Sequence, residues 1–432
     1  MPPHAKQGSI RTVGLASLIG TTIEWYDFFL YGTAAALVLD KIFFPTFDPF
    51  VAKLASLTTY AVGFVARPLG GVIIGHYGDR IGRKSMLVLT LIIMGIATFL
   101  IGVLPTYEQI GPMAAVLLVL LRVAQGFGVG GEWGGAILMA VEHAPPGRRG
   151  FYGSWPQIGV PAGLLLSTLI FTPFSRLPQE SFLSWGWRIP FLLSVVLVIV
   201  GLVIRVRILE TPAFSRMKEE RQEARQPILE VIRHYPREVL VAMGARLAEN
   251  GAFYIYTVFV LIYGTTHVGM DRNIVLTGIM IAAALELLSI PLFGFLSDLV
   301  GRRPVYFFGA LTTAVLAYPL FWMLDSAVPV LVWLALALAL SVGHAAMYAP
   351  QGAFFSELFG ARVRYSGASL GAQLSSVLAG GLSPIIATTL LEYGYGRGAL
   401  AAYLIGMAII TMLAVGIAVE TVRHDIEHAG RN

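Results

Sequence analysis

The sequence predicts an all-α membrane protein of twelve transmembrane helices, arranged as two pseudo-symmetric six-helix bundles. Three observations carry this. Of the 432 residues, 56% are hydrophobic and only 13% charged, against about 25% charged in an ordinary globular domain. The mean hydropathy of +0.74 fits lipid as the solvent, and lipid admits only helices or closed barrels. The apolar stretches run on without alternating at every second residue, which selects helices. A loop pattern in the first half also returns in the second.

A span needs about 20 apolar residues to cross about 30 Å of hydrocarbon. Such spans fall near 12–39, 51–76, 84–105, 112–141, 151–173, 186–206, 238–264, 273–297, 304–324, 328–355, 364–391 and 398–420. The runs Ser85–Tyr107, Gly150–Ser175, Ser326–Ser356 and Gly398–Val419 hold no Asp, Glu, Lys or Arg. The opening MPPHAKQGSIRTVG leads into a segment too long for a signal peptide and without a small-residue cleavage site, so it reads as a retained first span.

Cations set the orientation. With the N-terminus inside, Lys6, Arg11, Arg80, Arg83, Lys84, Arg148, Arg149, Arg302, Arg303, Arg362, Arg364 and Arg423 all fall on the cytoplasmic side. The other side receives only Lys41, Lys53, Arg176, Arg188, Arg272 and Arg397. Both termini are therefore expected in the cytoplasm. This topology explains the net charge of +5 without a nucleic-acid partner. The polar stretch 205–237 reads as a cytoplasmic linker between bundles at 1–204 and 238–421, followed by a short tail at 422–432. The absence of cysteine excludes disulfides and thiolate metal sites.

Gly75, Asp79, Gly82, Arg83 and Lys84 of GHYGDRIGRK recur as Gly294, Asp298, Gly301, Arg302 and Arg303 of GFLSDLVGRR, 219 positions later. Glu142 and Arg149 recur as Glu357 and Arg364 after 215 positions. Two matches at nearly one offset indicate a duplicated six-helix unit with parallel repeats.

GHYGDRIGRK resembles the signature loop of the major facilitator superfamily. Leu118, Arg122, Gln125 and Gly126 match its fourth-helix pattern, which accompanies proton-linked transport. TTIEWYDFFLYG at 21–32, FVARPLGG at 64–71, QGFGVGGEWGG at 125–135 and SWGWRIPF at 184–191 resemble the metabolite:proton symporter branch. Members of that branch carry shikimate, 2-oxoglutarate, citrate, proline or betaine. The likeness spans essentially the whole chain, and ARLAENGAFYIYTVF is most like the shikimate-type members. It implies the major facilitator fold and a symporter that imports a small polar metabolite by alternating access. It also implies no cofactor, the proton being the coupling ion. Two departures stand out: Leu299 replaces Arg80 in the second signature loop, and the short tail lacks heptads.

RVAQGFGVGGEWGG, 122 to 135, satisfies a dinucleotide-binding spacing at Gly126, Gly128 and Gly131. That fingerprint needs a preceding strand and an acid about 20 residues on; here a membrane helix precedes it and Glu142 is too near. Gly126, Gly130 and Gly134 instead give GxxxG spacings that let helix backbones approach.

Ionisable residues in mid-membrane cost about 2.5–3.5 kcal/mol on insertion scales and are functional candidates by default. Arg122, Gln125 and Glu132 share one stripe of span four. Glu24 and Asp27 lie three apart in span one, with Tyr31 a turn further on. Burial and like charge both favour a protonated carboxyl, so Asp27 is the favoured proton carrier, with Glu24 as its partner or a substrate ligand and with Arg122 and Glu132 as further coupling residues. In span seven, Arg246, Asn250 and Tyr254 recur every four residues beside Glu249. The guanidinium fork of Arg246 suits a carboxylate. Tyr31, Gln157, His344, Tyr348 and Gln373 complete the expected substrate site, and Gln351 shares the His344 face. Glu286 must face protein or water, and Arg67, before Pro68, reads as structural.

Asp79, Arg80 and Arg83, with Asp298 and Arg302 in the second half, are the expected gate residues. Glu142 with Arg149, and Glu357 with Arg364, read as companion latches. The expected cargo is a carboxylate such as a shikimate-like hydroxy acid or a dicarboxylate, handled by a monomer in the bilayer. Rival readings are an uncoupled facilitator, a proline/betaine-type zwitterion symporter, an antiporter and a nontransporting sensor. An enzyme is disfavoured: the sequence has no HExxH, Walker loop or thiol nucleophile.

Overall fold

The computed structural model describes residues 10–81, 83–130, 133–142, 144–207, 227–359 and 364–422, side chains excepted at 10–17, 75–85, 87, 133–136, 139, 204–207, 227–230 and 365. Among the described residues all regular structure is helical, and twelve apolar helical segments follow in the expected order. They are Ile10–Leu37, Pro49–Ile81, Arg83–Val103, Met113–Val129 continued by Trp133–Glu142, Trp155–Ser175, Arg188–Arg207, Pro236–His267, Arg272–Val300, Arg302–Asp325, Pro329–Leu358, Ser366–Glu392 and Gly396–Ile417. Most of the expected linker at 205–237 and the tail after Val422 lie outside the described residues.

The two halves repeat one packing scheme. Span one packs on five as seven packs on eleven, two on four as eight on ten, and three on six as nine on twelve. The halves meet where span five lies along eight and span two along eleven, which is the same pairing related by the pseudo-twofold. Leu240, Leu288, Val315 and Leu413, all more than 60% exposed, face outward, as lipid-facing apolar side chains do.

The glycine run packs as its spacing predicts. A Cβ on Gly126 would lie 2.1 Å from the Gly63 carbonyl oxygen, and one on Gly130 would lie 1.9 Å from that of Arg67. Spans two and four therefore touch backbone to backbone. That contact brings Arg122 and Arg67 into the interior from neighbouring helices. In the second half, Gly301 adopts φ +108, a conformation open to glycine. It turns the chain so that Glu420 accepts from the backbone N–H groups of Arg302 (2.9 Å) and Arg303 (3.0 Å).

Several spans contain widened π-helical turns, at Ile255–Phe259, Tyr263–His267, Ala339–His344 and Ser376–Gly381. Such turns cluster at functional sites, and one ends on His344.

Gly126→Val should destabilise the protein by about 1–3 kcal/mol, as overpacking does. Gly416→Ala, in open space, should be neutral. Thermal unfolding of the two purified variants checks the seam, and equal melting points would refute it.

Candidate functional site

A narrow cavity lies between the halves. Glu24 and Trp25 of span one, Arg67 of two, Gln157 of five, Arg246 of seven, Tyr348 of ten and Gln373 of eleven reach it. A second recess adjoins it and shares Trp25, Arg246 and Tyr348; Glu249, Asn250, Tyr254 and His344 reach this one. The structure thus brings together residues that the sequence scatters over six spans.

Arg67 corrects the sequence reading. It is buried, yet it faces the cavity rather than serving structure alone. Its guanidinium lies 4.1 Å from the Phe28 ring centroid, 4.4 Å from Phe64 and 5.3 Å from Trp25. Its Nε and Nη2 have no hydrogen-bond partner among the described residues. The signal was present: a lone arginine within an apolar helix. The adjacent Pro68 drew the reading toward structure.

Arg122 lies behind the cavity in an aromatic box, 4.4 Å from Phe28, 4.3 Å from Tyr31 and 4.9 Å from Tyr60. Desolvated cation–π contacts of this kind contribute about 2 kcal/mol or more. Phe28 therefore sits between two guanidiniums. Arg122 Nη1 donates to Gln125 Oε1 at 3.0 Å, and Gln125 Nε2 donates to Thr98 Oγ1 at 2.7 Å. Thr98 is the hydrogen-bond partner of Asp27, whose Oδ1 has none. Asp27 and Arg122 are thus joined through two neutral side chains and not by a direct ion pair. Thr98 was not singled out in the sequence, because a threonine in an apolar helix carries no signal of its own.

Two expectations change, those for Tyr31 and His344. Tyr31 donates to Thr59 Oγ1 at 2.6 Å and packs on Arg122, so it belongs to the aromatic box and not to the substrate cavity. Glu24, open as partner of Asp27 or as substrate ligand, faces the cavity, and Asp27 faces Thr98. His344 borders the recess, but both ring nitrogens meet carboxylates, Nδ1 at Glu286 and Nε2 at Glu249 (3.2 Å). No ring nitrogen is left for a ligand. Glu132 lies outside the described residues, as do the side chains of Asp79, Arg80 and Arg83.

Around Arg246 the polar contacts are dense. Nη1 donates to Gln351 Oε1 at 3.2 Å, and Nε lies 3.6 Å from Glu249 Oε2. Gln351 Nε2 donates to Glu249 Oε2 at 3.0 Å. Gln157 Nε2 donates across the halves to the Ala349 carbonyl at 3.0 Å, and Asn250 Oδ1 has no partner.

At the cation-rich end, Asp298 crosses between halves. Its oxygens accept from the backbone N–H groups of Gly150 and Phe151, each at 2.8 Å, at the start of the helix entering span five. A carboxylate is favoured at that pole of a helix. Arg302 holds Asp298 at 2.7 Å and Glu357 at 3.2 Å, and Thr421 donates to Glu357 at 2.6 Å. Arg364 meets Glu142 of the other half at 3.4 Å. Of the companion latches, Glu357 thus turns to Arg302, and Glu142 and Arg364 join across the interface. At the opposite end Ser175 donates to Asn273 Oδ1 at 3.0 Å, and Arg272 lies 4.3 Å from the Phe182 ring. The halves are tied at both ends.

The major facilitator superfamily model matches residues 17–384 of this chain. The shikimate transporter of Escherichia coli K12 is 43% identical over 408 residues, covering 93% of each chain. An inner membrane metabolite transport protein of the same organism, YhjE, is 43% identical over 424 residues, with 96% of this chain and 95% of that one covered. Its proline/betaine transporter is 35% identical over 435 residues, with 98% and 86% covered. Among solved structures, a partially occluded inward-open xylose transporter XylE from E. coli superposes with a TM-score of 0.75 at 18% identity, covering 96% of this chain and 99% of that one. That likeness shows the shared fold.

Asp298→Asn removes the charge from two interhalf hydrogen bonds, and should open the cation-rich end. With no native cysteine, a single Ile137→Cys in the cavity reports this by maleimide labelling from that side. Labelling should quicken about tenfold, the equivalent of 1.4 kcal/mol; an unchanged rate contradicts the latch.

Proposed function

Because the chain belongs to the major facilitator superfamily and is a transporter of metabolites rather than an enzyme, we propose that it carries a small carboxylate together with a proton. The single observation behind this is the pair Arg67 and Arg246. One comes from each half and both face one cavity, with two N–H-bearing atoms of Arg67 unpartnered. A carboxylate that bridges them is held by both halves at once, as a substrate must be if its binding is to close the site. The relatives fit this chemistry: shikimate, proline and betaine all bear a carboxylate.

Charge explains why the proton accompanies the cargo. At mid-depth, Arg67, Arg122 and Arg246 face Glu24, Asp27 and Glu249, all at most 4% exposed. Three positive and three negative groups balance when Asp27 is ionised. A proton on Asp27 leaves one positive charge in excess, and a monoanionic substrate restores the balance. Carrying either alone leaves a buried charge unpaired, at several kcal/mol. Arg122 waits on aromatic faces and Gln125 while Asp27 is neutral; an ionised Asp27 draws it through the Thr98–Gln125 link.

The betaine reading is weaker. A quaternary ammonium has no N–H to donate and is recognised on free aromatic faces, but Trp25 already stacks on Phe29 at 5.2 Å and carries Arg67 at 5.3 Å. Asp298 and the Glu142–Arg364 pair act as the inner gate. The protein works as a monomer in the bacterial inner membrane, with both termini cytoplasmic and the proton as its only coupling species.

Two experiments test this. Shikimate should raise the melting point of the purified protein. Arg67→Gln or Arg246→Gln should each weaken binding about tenfold or more, as loss of a charged hydrogen bond of about 1.5–3 kcal/mol would. If shikimate and other organic acids leave the melting point unmoved, the carboxylate reading fails. In proteoliposomes, Asp27→Asn should abolish accumulation against a gradient while sparing counterflow. Full accumulation by that variant would remove Asp27 as the carrier.

A further inference from the structure

A second ionisable cluster lies in the other half, outside the exchange just described. Glu249 of span seven, Glu286 of span eight and His344 of span ten are 2%, 0% and 1% exposed. The His344 ring lies between Phe253, at 4.5 Å between centroids, and Tyr348, at 5.1 Å. Its nitrogens point along the edges to Glu286 and Glu249. Glu286 Oε2 has no partner among the described residues.

Proton counting follows from this geometry. A neutral imidazole has one N–H and one acceptor nitrogen, and an ionised carboxylate only accepts. Two nitrogen–carboxylate contacts therefore need two protons, one more than neutral histidine and two carboxylates supply. The neighbours say where the extra proton lies. Arg246 can only donate, so Gln351 turns its carbonyl oxygen to Arg246 and its amide to Glu249. Tyr306 donates to the Ala245 carbonyl at 2.9 Å and accepts from Gln351 at 3.0 Å. Glu249 thus receives Gln351, Arg246 and His344, and is the ionised carboxylate of the three. The extra proton belongs between His344 and Glu286.

We propose that His344 and Glu286 hold a second exchangeable proton, in the C-terminal half, whose retention is linked through Glu249 and Arg246 to the presence of a carboxylate in the cavity. The linkage rests on the carboxylate reading; the proton site does not. With the cavity empty, Arg246 offsets Glu249, and the protonated His344–Glu286 pair is neutral. A substrate carboxylate at Arg246 claims part of that positive charge and leaves the cluster one charge more negative, so the proton is held more tightly. By reciprocity the proton also tightens the cargo. The other groups near the cluster are Tyr306 and Tyr348, with Arg67 and Glu24 across the cavity from Arg246. Both ring nitrogens contact carboxylates directly, so the missing donor is a proton of the cluster itself.

The test uses full-length protein with Asp27→Asn, so that Asp27 contributes no proton. Ring nitrogen-15 spectra, with His344→Gln to assign the signal, and infrared carboxyl bands are followed against pH without ligand. The expected result at neutral pH is a doubly protonated His344 ring, or a protonated-carboxyl band that Glu286→Gln abolishes. In the Glu286→Gln variant the ring should lose its second proton at a hydrogen-ion concentration at least tenfold higher. A ring with a single N–H and no band sensitive to Glu286→Gln overturns the site, as does an unchanged midpoint in that variant. Saturating shikimate should raise the midpoint; an unmoved midpoint with shikimate bound, as shown by calorimetry, overturns the linkage. Absence of shikimate binding removes the carboxylate reading for that probe, and with it the linkage, while the ligand-free titration still decides the proton site.

Discussion

A charged side chain buried in a membrane must be met by an opposite charge, a hydrogen-bonding group or an aromatic face, and this structure is organised around that demand. Arg67, Arg122 and Arg246 are each almost wholly enclosed. Two of them rest on the same ring, Phe28, from different sides of the first half. None of these arrangements is obligatory in the way a tight ion pair is. Aromatic faces compensate Arg67 and Arg122 only in part and leave those guanidiniums receptive to an anion, whereas Arg246 is met by Glu249 and Gln351. In the proposed cycle that residual receptiveness is what admits the cargo.

Ordinary membrane packing sets up the site. The backbone contact at Gly63, Gly126 and Gly130 seats span four against span two and brings their arginines inward. A π-helical turn in span ten ends on His344, which meets carboxylates on spans seven and eight. Ties at both ends keep the halves together around a small cavity. At one end they are charge-assisted and readily exchanged; at the other they are fewer. Asp298 on a helix start and Glu142 on Arg364 are contacts that a rocking motion would part together.

Hydropathy made the spans legible, because backbone satisfaction in lipid leaves little choice of structure. The repeat at 75–84 and 294–303 made the duplicated architecture legible as well. Within the site, Arg122, Gln125, Arg246 and Asn250 were readable as polar residues at helical spacing. Partners were not. Glu286 lies 58 positions from His344, and periodicity within one helix says nothing about which neighbouring helix will face it. Tyr31 shares a stripe with Glu24 and Asp27, yet its ring faces Arg122 and not the cavity. At the gate the repeat pointed to pairs within each half, and it could not show the contact of Arg364 with Glu142 of the other half. Glu420, which caps the ninth span, sits close to a tail that offered no pattern.

The central claim is that a carboxylate and a proton enter as one neutral exchange among these buried charges. The most direct measurement follows the external pH of weakly buffered proteoliposomes as shikimate is added, alongside its uptake. Alkalinisation in step with uptake, one proton per molecule and with no net current, is the predicted result. Uptake that leaves the external pH unmoved contradicts the claim.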